Sequence, residues 1–344
     1  MGIGATILMI IAFPLNSLLL FHEGLSSGRF VQADGYGIET AVQGSVKGTE
    51  IQKIPEPIKL KAQAVDNPKY KTVRNENVSN LVLPNAHAFA IIDADTGELL
   101  AGNHPTDERQ IASLTKMMTA TLAMEKIKDL DEAVTIGEEE VYIEGTKVGC
   151  PRSGYCISQR LKIDEKISAR NLLQAMLMNS ANDAAIALAK HMSGTQESFA
   201  EVMNLKAKQL GLSNTHFCTA SGLEIDGRES ECYSSAYDIG RIAAYSMRYD
   251  YIWKVFRQPS NTKVASMDGN LVHTILNTDL ILNEVPDVIG GKTGFTPLAG
   301  YSLLMGATDP TGKHRIIAVL LDDSHRWQDI RTAIDWTFKA YTWQ

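Results

Sequence analysis

The chain has 344 residues and a formal net charge of −7, and 44% of its residues are hydrophobic. It contains no run of basic residues, which argues against a nucleic-acid-binding protein. The C-terminal part, about 260 residues, is long enough to bury one sizeable core, so we expect one main globular domain.

Residues 1–33 predict a membrane anchor or a signal peptide. Residues 3–21 are almost entirely apolar, and no charged residue precedes Glu23. Such a stretch can span a bilayer, and it also matches the apolar region of a signal peptide, with Val31-Gln32-Ala33 as a small-residue cleavage site. We favour a retained anchor; a buried core helix is a third interpretation, but no amphipathic pattern marks a partner face. We therefore expect an extracytoplasmic protein, either held at the membrane by its N-terminus or secreted.

Residues 34–81 are polar and show little periodicity, which predicts a tether between the membrane and the folded part. The globular domain is expected to span residues 82–344. Strand patterns occur near both ends of this region, at residues 88–93, 98–101, 263–275, 300–307 and 314–321. A helical pattern fills the middle, from Ile111 to Tyr251, and a last helix is predicted over Trp327–Trp343. This order predicts an α+β fold, with one antiparallel sheet closed by the two ends and an α-helical insert.

The first chemically informative string is Ser113-Leu114-Thr115-Lys116, at the start of a predicted helix over residues 113–128. A serine hydroxyl becomes a strong nucleophile when a neighbouring base removes its proton. Lys116 lies three residues further on, one helical turn away on the same face. It can act as the base if burial and a second cation, for which Lys292 is the candidate, lower its pKa.

Ser180-Ala181-Asn182 falls between two helical patterns, in a loop that can point a hydroxyl and an amide into a cleft. Lys292-Thr293-Gly294 lies on a predicted strand whose glycines allow close approach of a ligand. An ammonium and a hydroxyl on such a strand suit a ligand carboxylate. The backbone N–H of Phe295, with that of Ser113, could form an oxyanion hole.

Four cysteines agree with export from a reducing cytosol. Cys150 and Cys156 flank a short loop, as do Cys218 and Cys232, so we expect two local disulfides, although other pairings remain open. A zinc site is less favoured, because no Cys-x-x-Cys or His-x-x-x-His spacing accompanies them. We expect neither a metal nor an organic cofactor.

Each of the three strings alone has an ordinary structural explanation, such as a capping serine beside a solvated lysine. A second Ser-x-x-Lys string occurs at Ser260–Lys263, but it follows a proline and has no helical context. The three strings occurring in order are together the signature of class A β-lactamases and penicillin-binding proteins. From Ala86 to Trp336 the chain resembles the D-alanyl-D-alanine carboxypeptidases, the low-molecular-weight penicillin-binding proteins. The similar segments beyond the three strings include Ala90-Ile91-Ile92-Asp93, Asn214-Thr215-His216-Phe217, Ser235-Ala236-Tyr237-Asp238 and Ala299-Gly300-Tyr301.

This resemblance implies a five-stranded antiparallel sheet flanked by helices, with an inserted all-α subdomain, as in serine β-lactamases and DD-peptidases. It also implies roles for the candidate residues. Ser113 would be the acylated nucleophile, Lys116 its base, and Ser180 and Asn182 the second catalytic element. Lys292, Thr293, Gly294 and Phe295 would bind the substrate, together with an arginine before the last helix that aligns with Arg326; Arg315 is the alternative.

The implied activity is removal of the terminal D-alanine from peptidoglycan stem peptides, with β-lactams as covalent inhibitors. A DD-endopeptidase that cuts cross-links would use the same site, and a β-lactam-binding wall protein without turnover would keep the same motifs. The chain departs from the family at Cys218-Thr219-Ala220-Ser221, where an asparagine is usual. It also lacks a Glu-x-x-x-Asn string between Ser180 and Lys292, which disfavours penicillin hydrolysis as the main activity.

Overall fold

A computed structural model of the chain describes residues 70–344, except Ser153 and Asn283. The predicted membrane segment and most of the predicted tether lie outside this range. The strands are β1 (Thr72–Arg74), β2 (Ala86–Asp93), β3 (Leu99–Asn103), β4 (Ala133–Thr135), β5 (Lys166–Ser168), β6 (Thr262–Ala265), β7 (Val272–Ile275), β8 (Val288–Thr296), β9 (Gly300–Thr308), β10 (Arg315–Asp323) and β11 (Tyr341–Trp343). The α-helices are α1 (Lys116–Lys126), α2 (Glu138–Tyr142), α3 (Ala169–Met178), α4 (Asn182–Ser193), α5 (Gln196–Gln209), α6 (Ala236–Ser246), α7 (Asp250–Phe256) and α8 (Arg326–Ala340).

The main sheet has five antiparallel strands in the order β3-β2-β10-β9-β8, which confirms the predicted α+β fold. Strands β2 and β3 come from the start of the domain, and β8 to β10 come from its end. They meet where β2 pairs with β10, with Ile91 opposite Ala318. The helical segment between β3 and β8 is therefore an insertion into the sheet, and a cleft can form where the two parts meet.

The sheet is covered on both faces, and side chains alternate between two apolar clusters as the period of a strand requires. On β2, Ala90 and Ile92 belong to the core shared with the helical insert. Phe89 and Ile91 belong to a second core, under α8, where Ile330 and Ile334 pack. Because both faces are buried there, every position from Ala88 to Ile92 in β2 and from Ile316 to Leu321 in β10 is apolar.

Three segments differ in detail from the sequence prediction. Residues 263–275 form the hairpin β6–β7, which lies outside the main sheet. The last helix ends at Ala340, and Tyr341–Trp343 then form a strand that pairs with β1. Strand β1 falls within the stretch that the sequence analysis takes as a tether, residues 34–81. Tyr341 and Trp343 are strong strand formers, and β1 provides their partner strand.

Both expected disulfides, Cys150–Cys156 and Cys218–Cys232, are present. Each closes a short loop of the helical insert, over 6 and 14 residues respectively. Within residues 70–344, none of the helices has the length and apolar character needed to cross a bilayer.

Candidate active site

Ser113 lies on a single 3₁₀ turn, Ala112–Thr115, that leads directly into α1. The turn is held in an unusual backbone conformation, since Ala112 has a φ of 46°. Gly222 packs against it so closely that a Cβ at that position would come within 1.9 Å of the Ala112 carbonyl oxygen. Strand β8 closes the other side, where a Cβ on Gly294 would lie 3.0 Å from the carbonyl oxygen of Ile111. The nucleophile predicted from the sequence is thus fixed between two backbone segments.

Lys116 is fully buried, and its Nζ makes three short contacts with oxygens. Nζ lies 2.8 Å from Ser113 Oγ, 2.8 Å from Asn182 Oδ1 and 2.7 Å from the carbonyl oxygen of Ser221. The last two oxygens can only accept hydrogen bonds. A charged ammonium donates to all three oxygens, Ser113 Oγ included; when Nζ loses one proton, it still donates to Asn182 Oδ1 and to the Ser221 carbonyl, and its lone pair faces the Ser113 hydroxyl. This is the arrangement that proton removal from Ser113 requires.

Burial, and then the positive charge of Lys292, hold the pKa of Lys116 well below its ordinary value. The carboxyl of Asp183 acts in the opposite direction but is a smaller influence. Desolvation and a second cation, Lys292, are the two causes that the sequence analysis names for a lowered pKa of Lys116.

Ser180 and Asn182 lie in the tight connection between α3 and α4. Ser180 has a φ of 57°, and its carbonyl oxygen accepts a hydrogen bond from Thr146 Oγ1 at 2.6 Å. The amide of Asn182 is oriented by its Nδ2, which donates to the carbonyl oxygen of Glu144 at 2.9 Å. Its Oδ1 is therefore turned towards Lys116.

Lys292 lies on β8 and is also fully buried. Its Nζ donates to Ser180 Oγ at 2.9 Å and to the carbonyl oxygen of Thr293 at 2.8 Å. Burial and the nearby guanidinium of Arg326 lower its pKa to about 7. The three strings thus form two linked pairs, Lys116 with Asn182 and Lys292 with Ser180.

Arg326 begins α8 and reaches the main sheet, where its Nη1 donates to the carbonyl oxygen of Gly294 on β8 at 2.9 Å and to that of Ser302 on β9 at 3.0 Å. Its guanidinium also lies over the Tyr301 ring, 5.1 Å from the centroid. Arg315, the alternative arginine, instead bonds to Asp95 at the other end of β10. The structure therefore puts Arg326, and not Arg315, beside the Lys-Thr-Gly strand.

Most of these groups line a single cleft of about 400 Å³. The predicted site residues that line it are Ser113, Ser180, Asn182, Thr293, Gly294, Phe295 and Arg326. Lys116 and Lys292 lie beneath its surface. The second Ser-x-x-Lys string is elsewhere, with Ser260 exposed and its Oγ accepting from the Asn277 N–H at 3.1 Å.

Three contributors to the site were missed by the sequence reasoning. The carbonyl of Ser221 accepts from Lys116, but a backbone acceptor requires no particular side chain, so no sequence signal marks it. Thr146 holds the Ser180 loop from a segment that carries no motif. Gly222, with a φ of 82°, could have been suspected as the one residue type that allows so close a contact.

Comparison with known proteins agrees with this geometry. Residues 75–325 match the family model Peptidase_S11, described as D-alanyl-D-alanine carboxypeptidase. The chain is 29% identical over 270 residues to the D-alanyl-D-alanine carboxypeptidase DacF of Bacillus subtilis, and 31% identical over 271 residues to DacC of Escherichia coli. Each match covers 74% of this chain, but only 63% and 62% of the two relatives.

Solved structures with the same fold include a D-alanyl-D-alanine carboxypeptidase from Mycobacterium tuberculosis, with a TM-score of 0.66 and 28% identity, covering 78% of this chain and 96% of that one. Penicillin-Binding Protein D2 from Listeria monocytogenes, in its ampicillin-bound form, has a TM-score of 0.63 and 29% identity, and the match covers 76% of this chain and 99% of that one.

Proposed function

Because the chain belongs to the D-alanyl-D-alanine carboxypeptidase family, we propose that it is a serine carboxypeptidase that removes the terminal D-alanine from peptidoglycan stem peptides. The observation that carries this proposal is the contact of 2.8 Å between Lys116 Nζ and Ser113 Oγ, with both other partners of Nζ being acceptors. That contact provides a hydroxyl nucleophile with its own base inside a substrate-sized cleft.

In the proposed acylation step, the proton of Ser113 moves to Lys116 as Oγ bonds to the carbonyl carbon of the penultimate D-alanine. The negative charge that develops on the carbonyl oxygen is stabilised by the N–H groups of Ser113 and Phe295. The close packing of Gly294 against Ile111 supports this pairing, because it brings the β8 backbone to the turn that carries Ser113.

When the bond to the terminal D-alanine breaks, its nitrogen needs a proton. The Ser180 hydroxyl is positioned to supply it, since it contacts Lys292 Nζ, which can restore the proton. Before deacylation, Lys116 releases to solvent the proton it took from Ser113, and Lys292 regains one from solvent. Water then attacks the Ser113 ester and gives a proton to the neutral Lys116, which passes it to Ser113 Oγ as the ester bond breaks and the shortened peptide leaves.

The carboxylate of the terminal D-alanine would lie along β8, near Thr293 and Arg326. Thr293 Oγ1 is held by Thr278 Oγ1 at 3.0 Å, and Arg326 is fixed by two carbonyl oxygens, so both are preorganised. β-Lactams carry a carboxylate beside a reactive amide, so we expect them to acylate Ser113 through the same contacts.

We also propose that the enzyme acts outside the cytoplasm, with residues 1–33 as a retained anchor or a signal peptide and a tether that ends before residue 70. The two disulfides support this location, since such bonds persist in oxidising compartments.

The direct experiment measures D-alanine release from a synthetic stem pentapeptide by the wild type, by Ser113→Ala and by Ser260→Ala. We expect release by the wild type and by Ser260→Ala, and a loss of at least about a thousandfold in Ser113→Ala. Equal release by all three proteins would refute the assignment of the nucleophile. No release by a folded wild type would refute the proposed activity.

A further inference from the structure

The wall of the cleft includes a disulfide-closed loop that the proposed mechanism does not use. Cys150 and Cys156 close the loop, and two of its residues, Pro151 and Arg152, line the same cavity as Ser113. Cys150 itself is buried and pairs through its backbone with Lys147, whose carbonyl oxygen accepts from Asn179 Nδ2 at 2.7 Å. The loop is therefore anchored to the connection that carries Ser180.

The cleft has an arginine from each of two walls. Arg326 is attached to β8 through the Gly294 carbonyl oxygen. Arg152 comes from the segment that holds Ser180 and Asn182, through Thr146, which accepts from the Asn182 N–H at 2.8 Å and donates to the Ser180 carbonyl. The two guanidinium groups thus line the cleft from different elements.

Arg152 is exposed, and among the described residues its guanidinium makes no hydrogen bond and no ion pair. Arg326, in contrast, makes two hydrogen bonds to backbone carbonyl oxygens. The residues described as lining the cleft include two arginines and neither Asp nor Glu. The cleft lining is thus positively charged, although the whole chain has a net charge of −7. A planar guanidinium without a partner suits a carboxylate, which it can bind through two parallel hydrogen bonds.

We propose that Arg152 is a specificity-determining residue that binds a second substrate carboxylate, one carried by the peptide before the D-alanine pair. This inference rests on the proposed function. The proposed function gives the terminal carboxylate to Thr293 and Arg326 on the β8 side, so we assign the acyl side of the peptide to the opposite wall, where Arg152 lines the cleft. The enzyme accordingly prefers stem peptides whose acyl-side carboxylates are free over those in which they are amidated.

In this proposal the Cys150–Cys156 disulfide positions Arg152. It restricts a loop that would otherwise sample many conformations, so less entropy is lost when Arg152 binds. Gly149 contributes as well: its φ is 75°, and a Cβ there would lie 2.3 Å from the carbonyl oxygen of Gln159. The backbone on the N-terminal side of the loop is thereby held in one conformation.

The test uses two stem pentapeptides that both end in D-alanyl-D-alanine with a free terminal carboxylate. In one, every carboxylate before the D-alanine pair is free; in the other, each of these is a primary amide. The kcat/KM for D-alanine release is measured for the wild type, Arg152→Gln, Arg152→Lys and the control Arg160→Gln. Arg160 is exposed and close in sequence to the loop, but it does not line the cleft. Arg160→Gln therefore removes the same charge as Arg152→Gln without changing the cleft.

For Arg152→Gln we expect kcat/KM on the free-acid peptide to fall about tenfold to a hundredfold, mainly through KM, and to change less than twofold on the amidated peptide. Arg152→Lys should recover part of the loss, and Arg160→Gln should behave like the wild type on both peptides. An equal loss on both peptides would overturn the proposal, because Arg152 would then act on a group the peptides share. Identical behaviour of Arg152→Gln and Arg160→Gln would overturn it too. Either result leaves the proposed carboxypeptidase activity standing, since wild-type release of D-alanine is measured separately.

A double variant, Cys150→Ser with Cys156→Ser, tests the positioning role. We expect KM for the free-acid peptide to rise severalfold while kcat on the amidated peptide stays within about twofold of the wild type. A loss confined to kcat on both peptides would contradict this role and assign the disulfide to the catalytic groups instead.

Discussion

Lys116 is a buried lysine, and in the proposed mechanism its protonation state decides whether Ser113 can react. Two of the three oxygens around its Nζ can only accept hydrogen bonds, so they orient the amine whether or not it is charged. Its pKa is held low by burial and by Lys292. The residue is therefore suited to accept a proton at neutral pH, which an exposed lysine is not.

Replacing this amine with a permanent cation should stop acylation. A guanidinium cannot lose its proton in a protein, so for Lys116→Arg we expect the rate of Ser113 acylation to fall by about a hundredfold to ten-thousandfold. The measurement is the pre-steady-state rate of penicillin acylation, with circular dichroism to confirm folding. An acylation rate within threefold of the wild type in the folded variant would rule out Lys116 as the base.

Lys292 gives a prediction for the pH dependence of stability. Its pKa is about 7 in the folded protein against an ordinary value of 10.5, because burial and then Arg326 disfavour the charge. Between these pH values the unfolded chain binds more protons than the folded one, so the free energy of unfolding increases with pH. Below pH 7 Lys292 is charged in both states, and the folded protein bears the whole cost of burying that charge. The maximum cost is about 5 kcal/mol, as an order of magnitude.

Lys292→Met removes this titration. We expect the melting temperature of the variant, relative to the wild type, to be highest near pH 6 and to decrease by several degrees towards pH 9. The variant also loses the hydrogen bonds to Ser180 and Thr293, which changes its melting temperature by a similar amount at every pH. The dependence on pH of the difference in melting temperature between variant and wild type remains. Parallel melting curves for the two proteins across this range would mean that Lys292 is charged to the same extent in both states.

At the scale of single elements, the 3₁₀ turn at Ala112–Thr115 differs from the structure that the local sequence pattern predicts. The sequence predicts a helix from Ser113, because the apolar spacing and the residue types are helical. The structure has the α-helix only from Lys116. The turn before it is set by contacts with Gly222 and β8, which are distant in sequence and have no local signature.

Gly222→Ala tests how far the nucleophile depends on this packing. A methyl group there would collide with the backbone of Ala112, whereas Gly227, with a similar φ of 76°, has nothing within 4 Å of the same position. Both alanine variants carry the strain of a positive φ, about 1–2 kcal/mol. Only Gly222→Ala should displace Ser113, so we expect its acylation rate to fall more than about a hundredfold while Gly227→Ala keeps the wild-type rate. Equal rates for the two variants would show that the turn yields without moving the serine.

Features with a local sequence pattern could be predicted from the sequence, whereas contacts between distant segments could not. The predicted bounds of β2, β9 and β10 agree with the structure to within two residues, because a strand buried on both faces is marked by its own composition. The pairs Ser113 with Lys116 and Ser180 with Asn182 are local spacings on or beside helices. The carbonyl of Ser221 and the hydroxyl of Thr146 enter the site through backbone hydrogen bonds between remote segments, which spacing cannot reveal.

At the scale of the whole molecule, the two ends of the described chain are fastened together. Strand β1 pairs with β11, and Trp343 Nε1 donates to Asp93 Oδ2 at 2.6 Å. The indole also stacks on His314 at 5.2 Å. We call these contacts the clasp; they lie where β2 ends at Asp93, and none of their residues lines the cleft. The clasp joins the start of the domain to its end.

Trp343→Ala should therefore cost stability without changing catalysis. We expect the free energy of unfolding to fall by about 2 kcal/mol and the melting temperature by about 4–8 °C, with kcat at 20 °C within twofold of the wild type. Leu205→Ala, at an exposed position on α5, serves as the control and should shift the melting temperature by less than about 2 °C. A loss of kcat in Trp343→Ala at a temperature where it is fully folded would show that the clasp and the cleft are coupled.

The central claim is that Ser113 is the single acylated nucleophile, and the most direct measurement is a mass spectrum of the intact wild-type protein after incubation with benzylpenicillin. The protein is then digested with trypsin, which separates Ser113 and Ser260 into the peptides of residues 110–116 and 258–263. We predict one penicilloyl adduct per chain, carried entirely by the peptide of residues 110–116 and absent from Ser113→Ala. An adduct on the peptide of residues 258–263, or undiminished labelling of Ser113→Ala, would contradict the account.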